Sequence, residues 1–229
     1  MKKAFTLAEV LITLSIIGIV AALTLPTLIQ NHKKHEASAR LKKFYSIMSQ
    51  AILLSESEHD SIDNWEMTTF LETEDGQYDY KANGNITNNF FFKYIEPYIK
   101  YVKYEEAKAV FDEDGKQTDG EHPTIYLADG STFTIMNSVC MDFRFDINGD
   151  RNPNKLGKDR FIFLLCPTQE YRNRFCTNKN SKFCTYNIDY VNNPSREISL
   201  QGCKNSAYRC SGLLEIDGWK FKDDYPYKL

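Results

Sequence analysis

Oxygen-bearing side chains are concentrated in residues 146–159, which read DINGDRNPNKLGKD. Carboxylate and amide oxygens are the hard ligands that Ca²⁺ takes in sets of about 6–8, in irregular geometry. The candidate ligands are Asp146, Asn148, Asp150, Asn154 and Asp159. The segment begins like an EF-hand loop, but Arg151 stands where that motif requires Gly and Gly157 where it requires Glu. We therefore predict a calcium loop of another kind. The alternative is a metal-free Asx-rich loop whose acids are balanced by neighbouring Lys and Arg.

Cysteine is the second residue type that could do chemistry, and every cysteine lies in the C-terminal part of the chain. The six residues are Cys140, Cys166, Cys176, Cys184, Cys203 and Cys210. No pair has C-x-x-C spacing, which argues against a zinc site or a redox motif. An even number in one segment predicts disulfides and an oxidising compartment, whereas the alternative is a set of buried free thiols in a cytosolic protein.

Two apolar alternating runs flank the Asx-rich loop and predict a β-hairpin. Placing Phe143 opposite Phe163 puts the large apolar side chains of both runs on one face. The same register sets Cys140 opposite Cys166, and opposed residues lie about 4.5–5.5 Å apart at Cα, a distance that a disulfide spans. We predict a cross-strand Cys140–Cys166 bridge. The other four cysteines allow three pairings, among which the sequence does not choose.

The sequence carries no catalytic signature of the G-x-S-x-G, P-loop or H-E-x-x-H type. The 28 Lys and Arg against 31 Asp and Glu give a net charge of -3, so no basic excess indicates a nucleic-acid partner. Residues 90–104 interleave aromatics with Lys, but Phe91, Ile95, Tyr98 and Val102 recur at helical spacing. This spacing favours a core-facing helix over a base-stacking surface. We predict a protein that is not an enzyme.

The elements that position these residues begin with an apolar N-terminal segment. Residues 10–29 are uncharged, a run long enough to span a membrane, which takes about 20 residues. A cleaved secretory signal has a shorter apolar core of about 7–15 residues. The basic residues between Lys33 and Lys43 favour a cytoplasmic C-terminus by the positive-inside rule. We give the cysteines more weight and predict an extracytoplasmic C-terminal domain.

Glu9 is the single charge in residues 5–29. A carboxylate at membrane depth costs several kcal/mol unless it is paired or neutralised, and nothing within the segment is expected to pair with it. One interpretation is a partner on another molecule. The other is a Glu at the membrane edge that reaches the headgroups.

The remaining pattern predicts an α+β fold. Residues 30–56 continue the helix beyond Pro26, with one apolar stripe of Leu41, Phe44, Tyr45, Met48 and Ile52. Asp-Gly pairs within residues 126–135 and 213–221 predict two hairpins. We expect a long helix, membrane-spanning over 5–29 and amphipathic over 30–56, packed on an antiparallel β-sheet domain at 57–229.

The N-terminal sequence KKAFTLAEVLITLSIIGIVAALTLPTL resembles the cleavage and methylation segment of type IV prepilins. That family has a short basic leader, a cut before Phe, a Glu at the fifth mature position and a Pro in the apolar helix. The resemblance implies a leader over 1–4, cleavage between Ala4 and Phe5 by a prepilin peptidase, and N-methylation of Phe5. It also implies assembly roles for Glu9 and Pro26. Ala4 departs from the family, which usually has Gly before the cut.

The same resemblance implies a function and a set of partners. In such filaments Glu9 would lie near the α-amino group of a neighbouring subunit, and an inner-membrane platform with its ATPase would extract each subunit. The Asx-rich loop is similar to the calcium loop of type II secretion major pseudopilins. We expect a structural subunit of a type II secretion pseudopilus or type IV pilus-like filament, stored in the inner membrane and then assembled in the periplasm or at the cell surface. The alternatives are a minor or competence-type pilin that contacts DNA or surfaces, and a signal-anchored extracytoplasmic enzyme or calcium-binding adhesion domain.

Overall fold

The first helix dominates the architecture of a computed structural model that describes residues 6–111, 117–186 and 194–229. Helix α1 (Leu7–His59) is continuous over 53 residues, a length of about 80 Å at 1.5 Å per residue. It passes through Pro26 without ending and extends three residues beyond the predicted boundary at residue 56. The cleavage residues Ala4 and Phe5 lie outside the described residues.

The two halves of α1 have opposite surroundings. Its N-terminal half is exposed along its apolar length, and none of its most apolar window is buried against the rest of the chain. The C-terminal half presents the predicted stripe to the core: Tyr45 is half-buried, and the other four residues are at most 3 % exposed. Following the predicted division, we call residues 7–29 the membrane half of α1 and residues 30–59 its amphipathic half.

The C-terminal half of α1 packs on a six-stranded sheet in which every neighbouring pair of strands is antiparallel and the spatial order follows the chain. The strands are β1 (Lys103–Phe111), β2 (Gln117–Tyr126), β3 (Thr132–Asn137), β4 (Met141–Asp146), β5 (Arg160–Leu165) and β6 (Phe183–Thr185). The predicted turn between β2 and β3 is present, closed by a bond from Leu127 N to Ser131 O at 2.9 Å. Gly130 has a φ of +81° in this turn, which favours glycine.

Aromatic rings fill the space between α1 and the sheet. The ring of Phe44 stacks on Phe145 with centroids 4.2 Å apart. It also contacts Phe133 and Phe163 at 5.3 and 5.2 Å. A fourth ring, Phe183 on β6, lies 6.0 Å away. Because one helical residue touches four strands, Phe44 fixes the position of α1 across the sheet.

The register predicted for the hairpin around the Asx-rich loop is confirmed. Phe143 lies opposite Phe163 in the β4–β5 pair. Cys140 and Cys166 form a disulfide with a Cα separation of 4.6 Å. The remaining cysteines pair as Cys176–Cys184 and Cys203–Cys210, one of the three arrangements left open.

The hairpin predicted over residues 213–221 is wrong. Cys210–Ile216 form a short helix, α5, and Asp217-Gly218 mark its C-terminal end. Gly218 has a φ of +64°, and Trp219 N bonds back to Leu214 O, as at a helix C-terminus closed by glycine. The Asp-Gly pair therefore ends a helix instead of joining two strands.

In the described residues four α-helices follow α1: α2 (Tyr80–Phe90), which continues through a π-helical turn (Phe91–Ile95) and a 3₁₀ turn (Glu96–Tyr98), then α3 (Gln169–Phe175), α4 (Arg196–Asn205) and α5. In the aromatic run, Phe91 and Ile95 are buried and Tyr98 is half-buried, as predicted. Val102 is 67 % exposed, because the helical turns have ended and the chain is about to enter β1.

Candidate functional site

Three hydroxyl groups in the membrane half of α1 bond to the backbone of the same helix. The hydroxyls of Thr13, Ser15 and Thr24 donate to helix carbonyls one turn back, at 2.7–2.9 Å. In hydrocarbon every polar group needs such an internal partner. The helix is long and apolar enough to cross a membrane, and these three hydroxyls enter it with internal partners.

Glu9 has hydrogen-bond partners within its own segment, which the expectation of no charge partner did not consider. Glu9 Oε2 accepts from Thr6 N at 2.8 Å and from Thr6 Oγ1 at 2.9 Å. The Thr6 hydroxyl caps the helix in return by accepting from Glu9 N. This is a capping box, and its T-x-x-E signature could have been read from the sequence.

The capping box provides hydrogen bonds to Glu9 but no opposite charge. Among the ion pairs of the described residues, none involves Glu9. A carboxylate in a membrane-spanning helix still requires a counter-ion. The geometry therefore leaves Glu9 oriented and capped, with its charge uncompensated by the described chain.

Basic residues that follow the membrane half are partly neutralised by the globular domain. Lys43 lies 2.8 Å from Asp129 in the β2–β3 turn, and Lys34 lies 3.4 Å from Asp223. These pairs tie the basic segment to the domain. These lysines therefore have a structural role, which the positive-inside rule does not take into account.

The Asx-rich loop between β4 and β5 converges on Asp159, which is 3 % exposed. Asp159 Oδ2 accepts from Asn154 N at 2.8 Å, and its Oδ1 accepts from Lys155 N at 2.6 Å. Asn148 Nδ2 lies 3.3 Å from the same carboxylate. The loop is thus wrapped around one buried acid.

Asp146 is a second buried acid of the loop and lies near Asp159. Asp146 Oδ2 accepts from Arg160 Nε at 2.8 Å. Burial raises the pKa of Asp146 to about 7, with the Arg160 bond opposing the rise and the Asp159 carboxylate adding to it. Arg160 therefore does not fully compensate the two adjacent carboxylates.

Amide oxygens complete the cluster. The end of the Asn154 carboxamide lies 3.0–3.2 Å from Arg151 O, Gly149 O and Asp146 Oδ2. With its nitrogen turned inward, Asn154 donates to these three oxygens. Asn148 Oδ1 is buried without a hydrogen-bond partner in the part of the chain that the structure describes.

The fifth predicted ligand, Asp150, is engaged elsewhere. Its carboxylate accepts from Tyr126 Oη on β2 at 3.2 Å. The loop glycines adopt a backbone conformation that favours glycine: φ is +67° at Gly149 and +75° at Gly157, and a Cβ at Gly149 would lie 2.8 Å from Gly130 O. The structure thus gathers Asp146, Asn148, Asn154 and Asp159.

Comparison with known proteins divides the chain at Pro26. Residues 1–25 match the prokaryotic N-terminal methylation motif, which confirms the prepilin signal. Residues 27–229 match the model of a family of unknown function, DUF6613. No curated protein and no solved structure matches the chain.

Proposed function

The chain belongs to the family of unknown function DUF6613, and we propose that it is a structural subunit of a type II secretion pseudopilus or type IV pilus-like filament. The prepilin signal makes it a type IV pilin-like protein anchored in the inner membrane. One observation carries the proposal: the signal lies on a helix whose apolar half is exposed and whose other half is built into the domain core. Such a helix is suited to bundling with copies of itself.

The proposed mechanism follows from the two halves of α1. The membrane half stores the precursor in the bilayer until a prepilin peptidase cuts after Ala4 and Phe5 is methylated. An ATPase-driven platform then moves the subunit out of the membrane, and neighbouring apolar halves replace the lipid. The new α-amino group of one subunit pairs with Glu9 of the next, which sets the axial register of the filament.

We place the globular domain outside the cytoplasm. All six cysteines are paired in three disulfides, and disulfides persist in oxidising compartments. Part of the basic charge next to the membrane half is engaged in ion pairs with the domain, which weakens the opposite inference from the positive-inside rule.

We further propose that the β4–β5 loop binds calcium through Asp146, Asn148, Asn154 and Asp159, and through Asp150 once its carboxylate leaves the Tyr126 hydroxyl. The buried, unpartnered Asn148 Oδ1 and the oxygens around the Asn154 carboxamide support this set. The ion would brace the hairpin that Cys140–Cys166 closes and would have no catalytic role.

Calcium binding is tested by thermal unfolding of the detergent-solubilised protein with excess Ca²⁺ or a chelator. A ligand at about 100 times its Kd stabilises by about 2.7 kcal/mol, which raises Tm by about 5–10 °C in a domain of this size. Asp159→Asn should remove this increase, and Asp75→Asn, the same charge change in an exposed turn, should retain it. Equal Tm values with Ca²⁺ and chelator, or an equal response to Mg²⁺, would reject the site.

The filament function is tested by intact mass spectrometry of protein from membranes and from sheared surface material, with a prepilin peptidase coexpressed. We expect a chain that begins at N-methyl-Phe5 and is enriched in the sheared filaments. An uncut chain beginning at Met1 and confined to membranes would contradict the proposal and favour a signal-anchored domain instead.

A further inference from the structure

A short hairpin before α2 exposes apolar and acidic side chains together. We call residues 70–79 the acidic hairpin. Its backbone is fixed by bonds from Thr73 N to Gln77 O at 2.7 Å and from Asp79 N to Leu71 O at 2.9 Å. Phe70 and Leu71 are 36 % and 45 % exposed. The exposed acids are Glu72, Glu74 and Asp75.

The acidic hairpin is held rigidly at its base. Asn83 of α2 accepts from Leu71 N at 2.8 Å and donates to Leu71 O at 2.7 Å. Tyr78 Oη donates to Asn137 O, the last residue of β3, at 2.7 Å. An ordered element that leaves apolar side chains partly exposed is a candidate contact surface.

The opposite end of β3 borders a groove with a volume of about 340 Å³, within the usual range of binding clefts. We call it the basic groove. Its apolar surface comes from α1, from the segment before β1 and from the β2–β3 turn, and includes Phe44, Ile47, Leu54, Ile99 and Leu127. Its charged residues are Arg40, Lys43, Lys100 and Asp129.

The charges of the two surfaces are complementary. The basic groove carries three cationic groups and one acid, Asp129; Lys43 engages Asp129 at 2.8 Å, and Arg40 engages Glu36 of its own helix at 2.7 Å. Lys100 is exposed at the groove. The acidic hairpin carries three acids next to two exposed apolar side chains. Its apolar side chains therefore match the apolar wall of the basic groove, and its acids match the cationic groups there.

The two surfaces cannot meet within one chain. The six residues of β3 separate them by about 20 Å, at roughly 3.3 Å per residue. The groove lies beside the β2–β3 turn, whereas the hairpin lies beside Asn137 at the other end of the strand. A patch at one end and its complement at the other produce a head-to-tail contact, which generates an open assembly.

We propose that the acidic hairpin of one copy docks into the basic groove of a neighbouring copy in the filament. The inference rests on the proposed function and names the surfaces through which the globular domains touch. Phe70 and Leu71 cover the apolar wall of the groove, and Glu72, Glu74 and Asp75 face its cationic rim.

Photo-cross-linking of assembled full-length protein tests the contact directly. Phe70 is replaced by p-benzoylphenylalanine, and cross-linked peptides are identified after irradiation of sheared filaments. We expect links to residues 40–54, 98–100 or 127–131 of a second copy. The same probe at Phe92, which is 47 % exposed, should not reach them. Links from position 70 to another surface or another protein, or no links in assembled filaments, would overturn the inference.

A charge swap provides an independent test. Glu74→Lys and Lys100→Glu should each lower filament yield about tenfold, because like charges then face each other. The double variant should recover most of the yield. Lys220→Glu, an equal reversal at an exposed site outside both surfaces, should assemble normally. Normal yields from both single variants, or no recovery in the double variant, would refute the docking.

The same filament-yield experiment distinguishes a failure of the docking from a failure of the proposed filament function. If the unsubstituted chain forms filaments and a Glu9→Leu variant does not, the proposed function stands, and normal assembly of the Glu74 and Lys100 variants would remove only the docking. If the unsubstituted chain forms no filaments, the proposed function fails, and the docking fails with it.

Discussion

The membrane half of α1 and the globular domain use apolar side chains in opposite ways. In the domain, Phe44 and its partners are enclosed by other parts of the same chain. In the membrane half, side chains such as Leu14 and Ile17 are 59 % and 63 % exposed. The domain is therefore complete within one chain, whereas the membrane half needs lipid or other subunits to cover it.

The same contrast holds for ionisable groups. His122 is 1 % exposed and lies beside Tyr78 and Tyr80, so burial keeps it neutral. Glu9 lies on an exposed helix end with a capping residue and no counter-charge in the described chain. One group is controlled by the fold and the other depends on assembly.

The largest effect is expected from Phe44→Ala. Removing an aromatic side chain that touches four strands should lower the free energy of unfolding by about 3–5 kcal/mol. The matched change Leu14→Ala in the membrane half should alter it by less than about 0.5 kcal/mol. Denaturant unfolding in detergent, followed by near-UV circular dichroism, measures both. Similar losses in the two variants would remove the distinction between the halves.

The next largest effect is expected from removing disulfides of the globular domain. Replacing both Cys140 and Cys166 by Ser opens a loop with a sequence separation of 26. The chain-entropy relation gives a loss of about 3.5 kcal/mol. The Cys203–Cys210 pair, with a separation of 7, should cost about 2.4 kcal/mol. Denaturant midpoints rank the two variants, and the reverse order would show that the longer bridge is not the main constraint.

The smallest effect concerns the pH dependence of stability. Burial lowers the pKa of His122 to about 3, with Arg144 adding to the decrease. Since the unfolded pKa is about 6.5, the unfolded state binds the proton first and stability is lost as pH falls below about 6.5. From pH 7 to 5 the wild type should lose about 2 kcal/mol more than a His122→Leu variant.

The comparison with the variant is needed because another acid, Asp142, changes stability with pH in the opposite direction. Burial raises the pKa of Asp142 to about 7, so this group adds stability as pH falls through that value. Both proteins retain Asp142, and their difference isolates His122. Parallel pH profiles for the two proteins would mean that His122 ionises freely in the folded state.

Sequence reasoning succeeded where a periodic pattern had one physical solution. The pairing of Phe143 with Phe163 fixed the hairpin register, and the register fixed Cys140–Cys166. The helical stripe around Phe44 likewise had one face to bury. In both cases local periodicity and burial pointed to the same answer.

Sequence reasoning failed where local signals were ambiguous or required the third dimension. Asp129-Gly130 joins two strands, whereas Asp217-Gly218 ends a helix. The dipeptide is the same, and only its tertiary neighbours decide between a hairpin and a helix end. The two disulfides of the last four cysteines depended on helices α3 to α5, which alternating patterns do not reveal. The Thr6–Glu9 capping box was readable but overshadowed by the apolar run.

The most direct test of the account compares Glu9→Gln with Glu9→Leu in filament assembly. Gln can replace Glu in a capping box but carries no charge, so it preserves the helix cap and removes the proposed partner of the neighbouring α-amino group. An ion pair at about 4 Å is worth about 4 kcal/mol at an effective dielectric of about 20. We therefore predict that both variants lower the yield of sheared filaments at least about a hundredfold while the precursor is still cut after Ala4. Wild-type filament yield from Glu9→Gln would show that Glu9 only caps its own helix, and it would contradict the account.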